Sequence, residues 1–342
     1  MKILLVKVSS LGDVVHTLPV VQDIHAALPG AQIDWVVEKA FAPLLAQCAG
    51  LHRVIPCEIR RWRKAFWAAG TRAEWRAFKA DLQQEAYDAV IDLQGLTKSA
   101  LVARLARLAP GGQRYALANQ TDGSGYEAPS RWVANVAIQV EPHIHAVQRS
   151  RELAARALGY STLPAVSFGL KVPYAQETRA SLAPELIALG ESSGAAATVA
   201  LVHGTSRADK EWPLTHWVAL GRRLNAAGYS VALPHGNAAE LATSQAIAAE
   251  LASAIVWPLL PLDELTQALA QCTGVIGVDS GVSHIAVALD LPHVQLYNFD
   301  TAWRTGPDAA SGRQVSVFAR PAPGVDAVWQ AWLGCNATAQ AA

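Results

Sequence analysis

The sequence predicts an α/β protein made of two Rossmann-like halves, each a mostly parallel sheet covered by helices on both faces. Three observations carry this reading. Short β-branched runs alternate with longer helical stretches. The rhythm breaks once, between Tyr160 and Pro173, and then restarts with a similar period. At 342 residues the chain is too long for one ordinary core and suits two domains.

The elements follow in order. Ile3 to Val8 reads as a buried strand, Asp13 to Leu28 as a helix, and Ile33 to Val37 as a second strand. Tyr87 to Leu93 is a further strand, followed by a helix from Thr97 to Leu108. His145 to Leu158 has the apolar spacing of a long amphipathic helix. The segment YSTLPAVSFGLKVP, with its two prolines, is the expected boundary, dividing the chain into domains 1–165 and 166–342. Strands at Thr198–His203, Ser230–Pro234, Val275–Val278 and Val294–Tyr297 then alternate with helices. Those helices are expected at Leu214–Ala227, Glu240–Ala252, Leu262–Cys272 and Val282–Leu289, with a last one over Val325–Leu333. In such a fold the crevice at the strand carboxyl ends between the two halves is the expected site.

Composition removes several functions. Hydrophobic residues make up 51% and charged residues 16%, which describes a packed globular protein and excludes long disorder. The 28 basic and 28 acidic residues balance, which argues against coating nucleic acid by bulk charge. The four cysteines are scattered without a C-x-x-C pair, so free buried thiols in a reducing compartment are expected. The start MKILLVKVSSLGD does not read as a signal peptide, and no apolar run approaches the ~18 residues of a membrane span. A cytosolic protein that touches a membrane only from outside is expected.

Four segments carry chemistry. The first, Ser9-Ser10-Leu11-Gly12-Asp13, is a strand-to-helix turn of small residues. Asp13 reads either as a helix N-cap or as a general base, a carboxylate kept ionised by the helix start. The second, Arg60 to Lys79, holds seven cations and one Glu interleaved with Trp62, Phe66, Trp67, Trp75 and Phe78. It is a solvated basic face, a surface for an anionic amphiphile, or a site for single-stranded nucleic acid. The third, HGTSRADKEWP from His203 to Pro213, offers the Thr205 and Ser206 hydroxyls and the Lys210 ammonium to a phosphate. The fourth, VIGVDSGVSHIA from Val275 to Ala286, ends a buried strand at Asp279 and turns through Ser280-Gly281 into a helix carrying His284. Backbone N–H groups at that helix start suit a diphosphate, and Asp279 suits sugar hydroxyls. The alternative is a plain cap at Asp279 or Ser280 with His284 packed. G-x-G-x-x-G, the P-loop, H-E-x-x-H, G-x-S-x-G and D-x-D are all absent. His143-x-His145 has metal-ligand spacing on an expected strand but lacks a third ligand, so a structural or acceptor-side role is preferred.

At these segments the chain resembles the lipopolysaccharide heptosyltransferases of glycosyltransferase family 9, the type I branch more than type II. The motifs are KVSSLGDVVHTLP ending at Pro19, IRRWRKA at 59–65, YDAVIDLQGLTKSA at 87–100, DKEWP at 209–213 and VDSGVSHIAVALDLP at 278–292. They run in order from Met1 to about Tyr297. The resemblance implies a GT-B fold, with two Rossmann-like domains facing a central cleft, the acceptor on the first and the nucleotide-sugar on the second. It implies inverting transfer of L-glycero-D-manno-heptose from ADP-heptose to the Kdo of Kdo2-lipid A, without cofactor or metal, at the cytoplasmic face of the inner membrane. A type II enzyme or one using another ADP-sugar is the rival. A non-catalytic binder of anionic lipid or nucleic acid is the remote one, and no nucleic-acid partner is expected.

Position by position, the resemblance makes Asp13 the catalytic base. It puts Thr205, Ser206 and Lys210 on donor phosphates, Glu240 on a ribose, and Asp279, Ser280, Gly281 and His284 at the donor heptose and diphosphate. On the acceptor side it implies Ser10, Gly12, Arg60, Arg61, Arg63, Lys64 and Lys98. The chain departs from the family pattern twice. Ser280 stands where Thr is usual, and Asn298-Phe299-Asp300-Thr301-Ala302-Trp303 stands where a Gly-Pro-Thr-Asp-Pro-like stretch is expected.

Overall fold

The computed structural model describes residues 1–65, 67–161, 164–172, 197–308 and 312–341. The chain divides into two compact units, Met1–Lys171 and Val172–Ala342. Phe66 and three positions of the expected boundary segment, 162, 163 and 173, lie outside the described residues.

The first unit is built on six strands: β1 Lys2–Val6, β2 Gln32–Glu38, β3 Leu51–Cys57, β4 Ala86–Asp92, β5 Arg107–Leu117 and β6 Val136–Ile138. They lie in the order β3-β2-β1-β4-β5-β6, and every pairing is parallel. A parallel strand is buried on both faces and so reads as a continuous apolar run. Ile3, Leu4, Leu5 and Val6 of β1 accordingly lie fully inside. The chain leaves β1 toward β2 on one side and returns to β4 on the other. This makes the carboxyl ends of β1 and β4 the topological switch point, where open α/β sheets bind ligands.

The second unit repeats the plan. Its strands are β7 Thr198–Val202, β8 Ser230–Leu233, β9 Ala254–Val256, β10 Gly274–Val278, β11 His293–Tyr297 and β12 Gln314–Phe318. Their order is β12-β11-β10-β7-β8-β9, again parallel throughout, with the switch point between β7 and β10. Val199, Leu201, Ile276, Val294, Trp217 and Trp332 form much of its core.

Several elements differ from expectation for identifiable reasons. The single helix expected over Asp13–Leu28 is two, Leu11–Val15 and Pro19–Ala27. Pro19 has no N–H to give the preceding turn and opens the second helix instead. The helix from Thr97 ends at Leu105, and Arg107 already belongs to β5. Strand β5 contains Pro110-Gly111-Gly112, which reads as a turn. Its pairing with β4 steps from Tyr87↔Leu108 to Ala89↔Gln113, so the register shifts by about three residues, with Ala109 to Gly112 opposite Asp88 alone. Gly112 permits this because a Cβ there would lie 2.5 Å from the Tyr87 carbonyl oxygen. Strand β3 carries Pro56, tolerated because β3 is an edge strand. The last helix runs over Val325–Ala341, beyond the expected end at Leu333.

Candidate functional site

At the β1–β4 switch point a buried lysine meets a half-exposed aspartate. Lys7 follows β1 directly and its side chain is 2% exposed. Its ammonium donates to the Leu93 carbonyl at 3.0 Å and lies 3.8 Å from Asp13 Oδ1. Asp13 occupies the third position of the helix Leu11–Val15, and Ser10 is the N-cap. The cap reading of Asp13 is thereby corrected. The chain has a capping box, in which the third-position carboxylate reaches back to the cap. The Ser10 N–H and O–H both donate to Asp13 Oδ2, at 3.0 and 2.8 Å.

The charge states follow from these contacts. Desolvation pushes the Asp13 carboxyl upward, but the Lys7 ammonium, the two Ser10 hydrogen bonds and Arg149 outweigh it and hold it well below the usual carboxylate range. Desolvation dominates at Lys7 and lowers its ammonium to about 8. The side chain of Asp13 is 41% exposed, so an ionised carboxylate faces solvent there.

Residues after β4 brace this turn. Buried Asp92 accepts from the Gln94 and Gly95 N–H groups and from Ser99 Oγ, and burial raises its carboxyl to about 6. The Gln94 amide in turn accepts from the Val8 N–H at 2.9 Å and donates to the Ser9 carbonyl. Lys98 donates to Ser9 Oγ at 2.6 Å, and burial together with neighbouring Arg60 lowers its ammonium. Ser10, Gly12, Asp13, Lys98 and Arg60 are thus brought to one region. Lys7, Asp92, Gln94 and Arg149 join them without having been singled out from sequence.

The basic segment splits into two roles. Arg60, Arg63 and Lys64 are exposed on the helix Ile59–Lys64. Arg61 differs, because its guanidinium is bound by the Glu58 carboxylate, at 3.0 and 2.8 Å, and by Glu74. Of the interleaved aromatics, Trp62 and Phe78 are buried. Trp75 packs on both, with ring centroids 5.4–5.8 Å apart across the trio. These three rings belong to the core and not to an amphiphile surface, because Trp62 of the helix Ile59–Lys64 packs onto the apolar face of the helix Ala69–Leu82, which carries Trp75 and Phe78. Among the described aromatics of the segment, Trp67 is the exposed one, at 85%.

His143 and His145 do not share a strand. His143 Nδ1 lies 3.1 Å from Asp122 Oδ2, whereas His145 caps the helix Ala146–Leu158 by accepting from the Val147 N–H. Among the described residues, no group of three or more His, Cys, Asp or Glu side chains is arranged to hold a metal.

In the second unit Asp279 is a hub at the end of β10. Its Oδ2 accepts from the Lys210 ammonium at 2.6 Å. Its Oδ1 lies 3.3 Å from His284 Nε2 and 3.4 Å from Thr305 Oγ1. The carboxylate is 6% exposed; desolvation pushes its pKa up, but His284 and Lys210 more than offset this and hold it well below the usual range. Ser280 caps the helix Gly281–Ala288 by accepting from the Ser283 N–H, which puts Gly281 first in the helix and His284 in its first turn.

Two further loops end at the same side of this sheet. After β7, Thr205 Oγ1 is shielded from solvent and has no hydrogen-bond partner among the described residues, while Ser206 is exposed. A buried hydroxyl without a partner is what a ligand oxygen would satisfy. After β8, Asn237 caps the helix Ala238–Ala248, and the Glu240 carboxylate accepts from the Gly236 N–H and the Asn237 amide at 2.7 and 2.8 Å. Glu240 lies against Gly204, where a Cβ would fall 2.6 Å from its carboxyl carbon. Thr205, Lys210, Glu240, Asp279 and His284 therefore come from the loops and helix starts that follow three neighbouring strands, β8, β7 and β10. Asn298, which opens the stretch that departs from the family pattern, and Thr305, two residues beyond its end, were not singled out as site residues from sequence. Asn298 Nδ2 donates to the carbonyls of Asp209 and Glu211 at 3.1 and 2.9 Å.

The sequence profile of glycosyltransferase family 9 (heptosyltransferase) matches residues 75–328. Lipopolysaccharide heptosyltransferase 1 of Pseudomonas aeruginosa is 40% identical over 298 residues, 87% of this chain and 78% of that one. The solved structure of E. coli heptosyltransferase WaaC with ADP has a TM-score of 0.81 at 35% identity, covering 96% of this chain and 98% of that one. The same enzyme with ADP-2-deoxy-2-fluoro heptose has a TM-score of 0.76 at 35% identity over the same shares. The expected α/β, GT-B-like pair of parallel-sheet units is borne out by this likeness and by the strand orders. From the profile match and the shared sequence, the chain belongs to glycosyltransferase family 9, the heptosyltransferases.

Proposed function

We propose that this chain moves L-glycero-D-manno-heptose from ADP-heptose to the Kdo of Kdo2-lipid A, with inversion, in assembly of the lipopolysaccharide inner core. The names of the relatives and the two nucleotide complexes of WaaC support the donor and the pathway. The observation that carries the mechanism is Asp13, an ionised, half-exposed carboxylate clamped on one oxygen by Ser10.

Asp13 accepts the proton of the acceptor hydroxyl as that oxygen bonds to the anomeric carbon. The bond from the anomeric carbon to the diphosphate breaks, and ADP leaves with the electron pair. A carboxylate held below its ordinary range is a weak base toward a resting hydroxyl. The hydroxyl turns strongly acidic only as its oxygen gains the new bond, so proton transfer is late. Lys210 and the N–H groups that open the helix Gly281–Ala288 stabilise the leaving diphosphate, and Thr205 and Ser206 add hydroxyls to it. Glu240 takes the ribose, and Asp279 with His284 takes the heptose. Arg60, Arg63, Lys64 and Lys98 meet the phosphates and carboxylates of the acceptor, with Ser10 and Gly12 lining its approach. Arg61 acts indirectly, because Glu58 and Glu74 already hold it.

The first unit accordingly serves the acceptor and the second the nucleotide-sugar. No described helix is long and apolar enough to cross a membrane. Peripheral attachment to the cytoplasmic face of the inner membrane is part of the proposal, since the acceptor is a lipid. The test combines purified protein, ADP-heptose and Kdo2-lipid A, and follows product mass and released ADP together. A mass gain of one heptose with matching ADP release is expected. Activity only with another ADP-sugar or another acceptor overturns the assignment. Excess EDTA is expected to leave the rate unchanged, and a loss restored by Mg²⁺ would overturn metal independence.

A further inference from the structure

We infer that Asn298 is a positioning residue for Lys210, through a two-point clamp on the backbone on either side of it. The inference rests on the donor-site reading above. Lys210 ends a 3-10 turn of three residues, Ala208–Lys210, too short to hold its own shape. The turn's own side-chain bond, Arg207 to Asp209, is an exposed ion pair that ties the loop to itself. Downstream, Trp212 is buried and its indole N–H donates to the Pro323 carbonyl at 2.8 Å, which fixes Trp212 but not the residues before it.

The missing anchor is Asn298, the first residue after β11. Its amide nitrogen carries two hydrogens, and the structure assigns one to each flanking carbonyl, Asp209 O at 3.1 Å and Glu211 O at 2.9 Å. Both bonds span nearly ninety residues of sequence, so they are tertiary anchors and not local turn bonds. Strand β11 lies beside β10, whose end carries Asp279, the partner of Lys210 at 2.6 Å. The ammonium is thereby held from two directions: by its own charge pair and by the backbone beneath it. The stretch beginning at Asn298 departs from the family pattern and supplies this grip with a side chain of its own.

The test is a double-mutant cycle with ADP as the probe and transfer kinetics beside it. Asn298→Ala is expected to weaken ADP binding and raise donor KM about tenfold, the loss of two neutral hydrogen bonds, with acceptor KM unchanged. In a Lys210→Ala background the same change is expected to cost nothing further, because the clamp then positions nothing. Asn298→Leu keeps the side chain's shape without charge but removes both donors, and is expected to behave like the alanine variant with an unaltered melting temperature. Additive losses in the cycle, or equal rises in both KM values, overturn the inference. If Lys210→Ala weakens ADP binding and Asn298→Ala does not, the clamp fails and the donor reading stands. If Lys210→Ala itself leaves ADP binding unchanged, the donor reading fails and takes the clamp with it.

Discussion

Replacing Lys7 with methionine is expected to stabilise the first unit at neutral pH. The buried ammonium is held at about 8 against an ordinary 10.5, chiefly by desolvation. At ~1.36 kcal/mol per pH unit, the charged form costs about 3 kcal/mol in the folded state at pH 7. The sign follows from proton binding. The unfolded chain holds this proton more tightly, so wild-type stability rises as pH climbs from about 8 to 10.5. Methionine follows the lysine stem one atom short of the ammonium, removes the charge and forfeits the bond to the Leu93 carbonyl, an offset of ~1 kcal/mol. A net gain of about 2 kcal/mol in a unit of this size raises its melting temperature by ~4–8 °C. Circular-dichroism melts at pH 7 and pH 10 check this: the gap should be present at the first and nearly closed at the second. Asp13 still ionises without the cation, so transfer at pH 7 should survive while the acid limb of its rate profile moves upward. A lower melting temperature at pH 7, or a gap independent of pH, would refute the reasoning.

Other outcomes follow from the same contacts. Asp13→Asn should reduce transfer by ~10³-fold or more with ADP affinity unchanged by calorimetry, and unchanged turnover would remove the base. Neutralising Arg60, Arg63 and Lys64 to Gln together should raise acceptor KM about tenfold and leave donor KM within about twofold, whereas Arg61→Gln alone should leave both nearly unmoved. Asp92 is raised to about 6 by burial, so its favourable contribution exists below its ordinary value of 3.8 and is lost as pH rises through 6. Asp92→Asn should therefore raise the urea midpoint at pH 7.5 and make little difference at pH 4, and the reverse ordering would contradict this.

The strands at the centre of each sheet were legible because burial on both faces leaves an apolar run, as in β1, β7 and β10. The missed strands are mostly lateral ones, β3, β5, β6, β9 and β12, where one side is less covered and the pattern mixes. Pro56 in β3 and the Pro110-Gly111-Gly112 loop in β5 read as turns, and only the neighbouring strand shows why they are tolerated. Asp13, Lys210 and Asp279 were visible because each follows a clear strand. Lys7 was not, since a lysine after an apolar run ordinarily reads as the strand meeting water, and only the fold shows it turned inward against Leu93. The aromatics of the basic segment misled for the opposite reason: spacing puts Trp62, Trp75 and Phe78 near cations, but the helices pack them into the core. Asn298 stood out only as the start of a departure from the family pattern and Thr305 not at all, because their partners lie far along the chain or across a strand end.

The ring joining Ser10 to Asp13 closes between residues three apart, within one helical turn. The Lys210–Asp279 pair closes across 69 residues. A short loop costs little entropy to shut and reforms quickly; a long one depends on everything folded between its ends. On warming or in dilute denaturant, the grip on the nucleotide should slacken while the aspartate still points true, so loss of donor saturation, and not loss of the base, will mark the onset of heat inactivation.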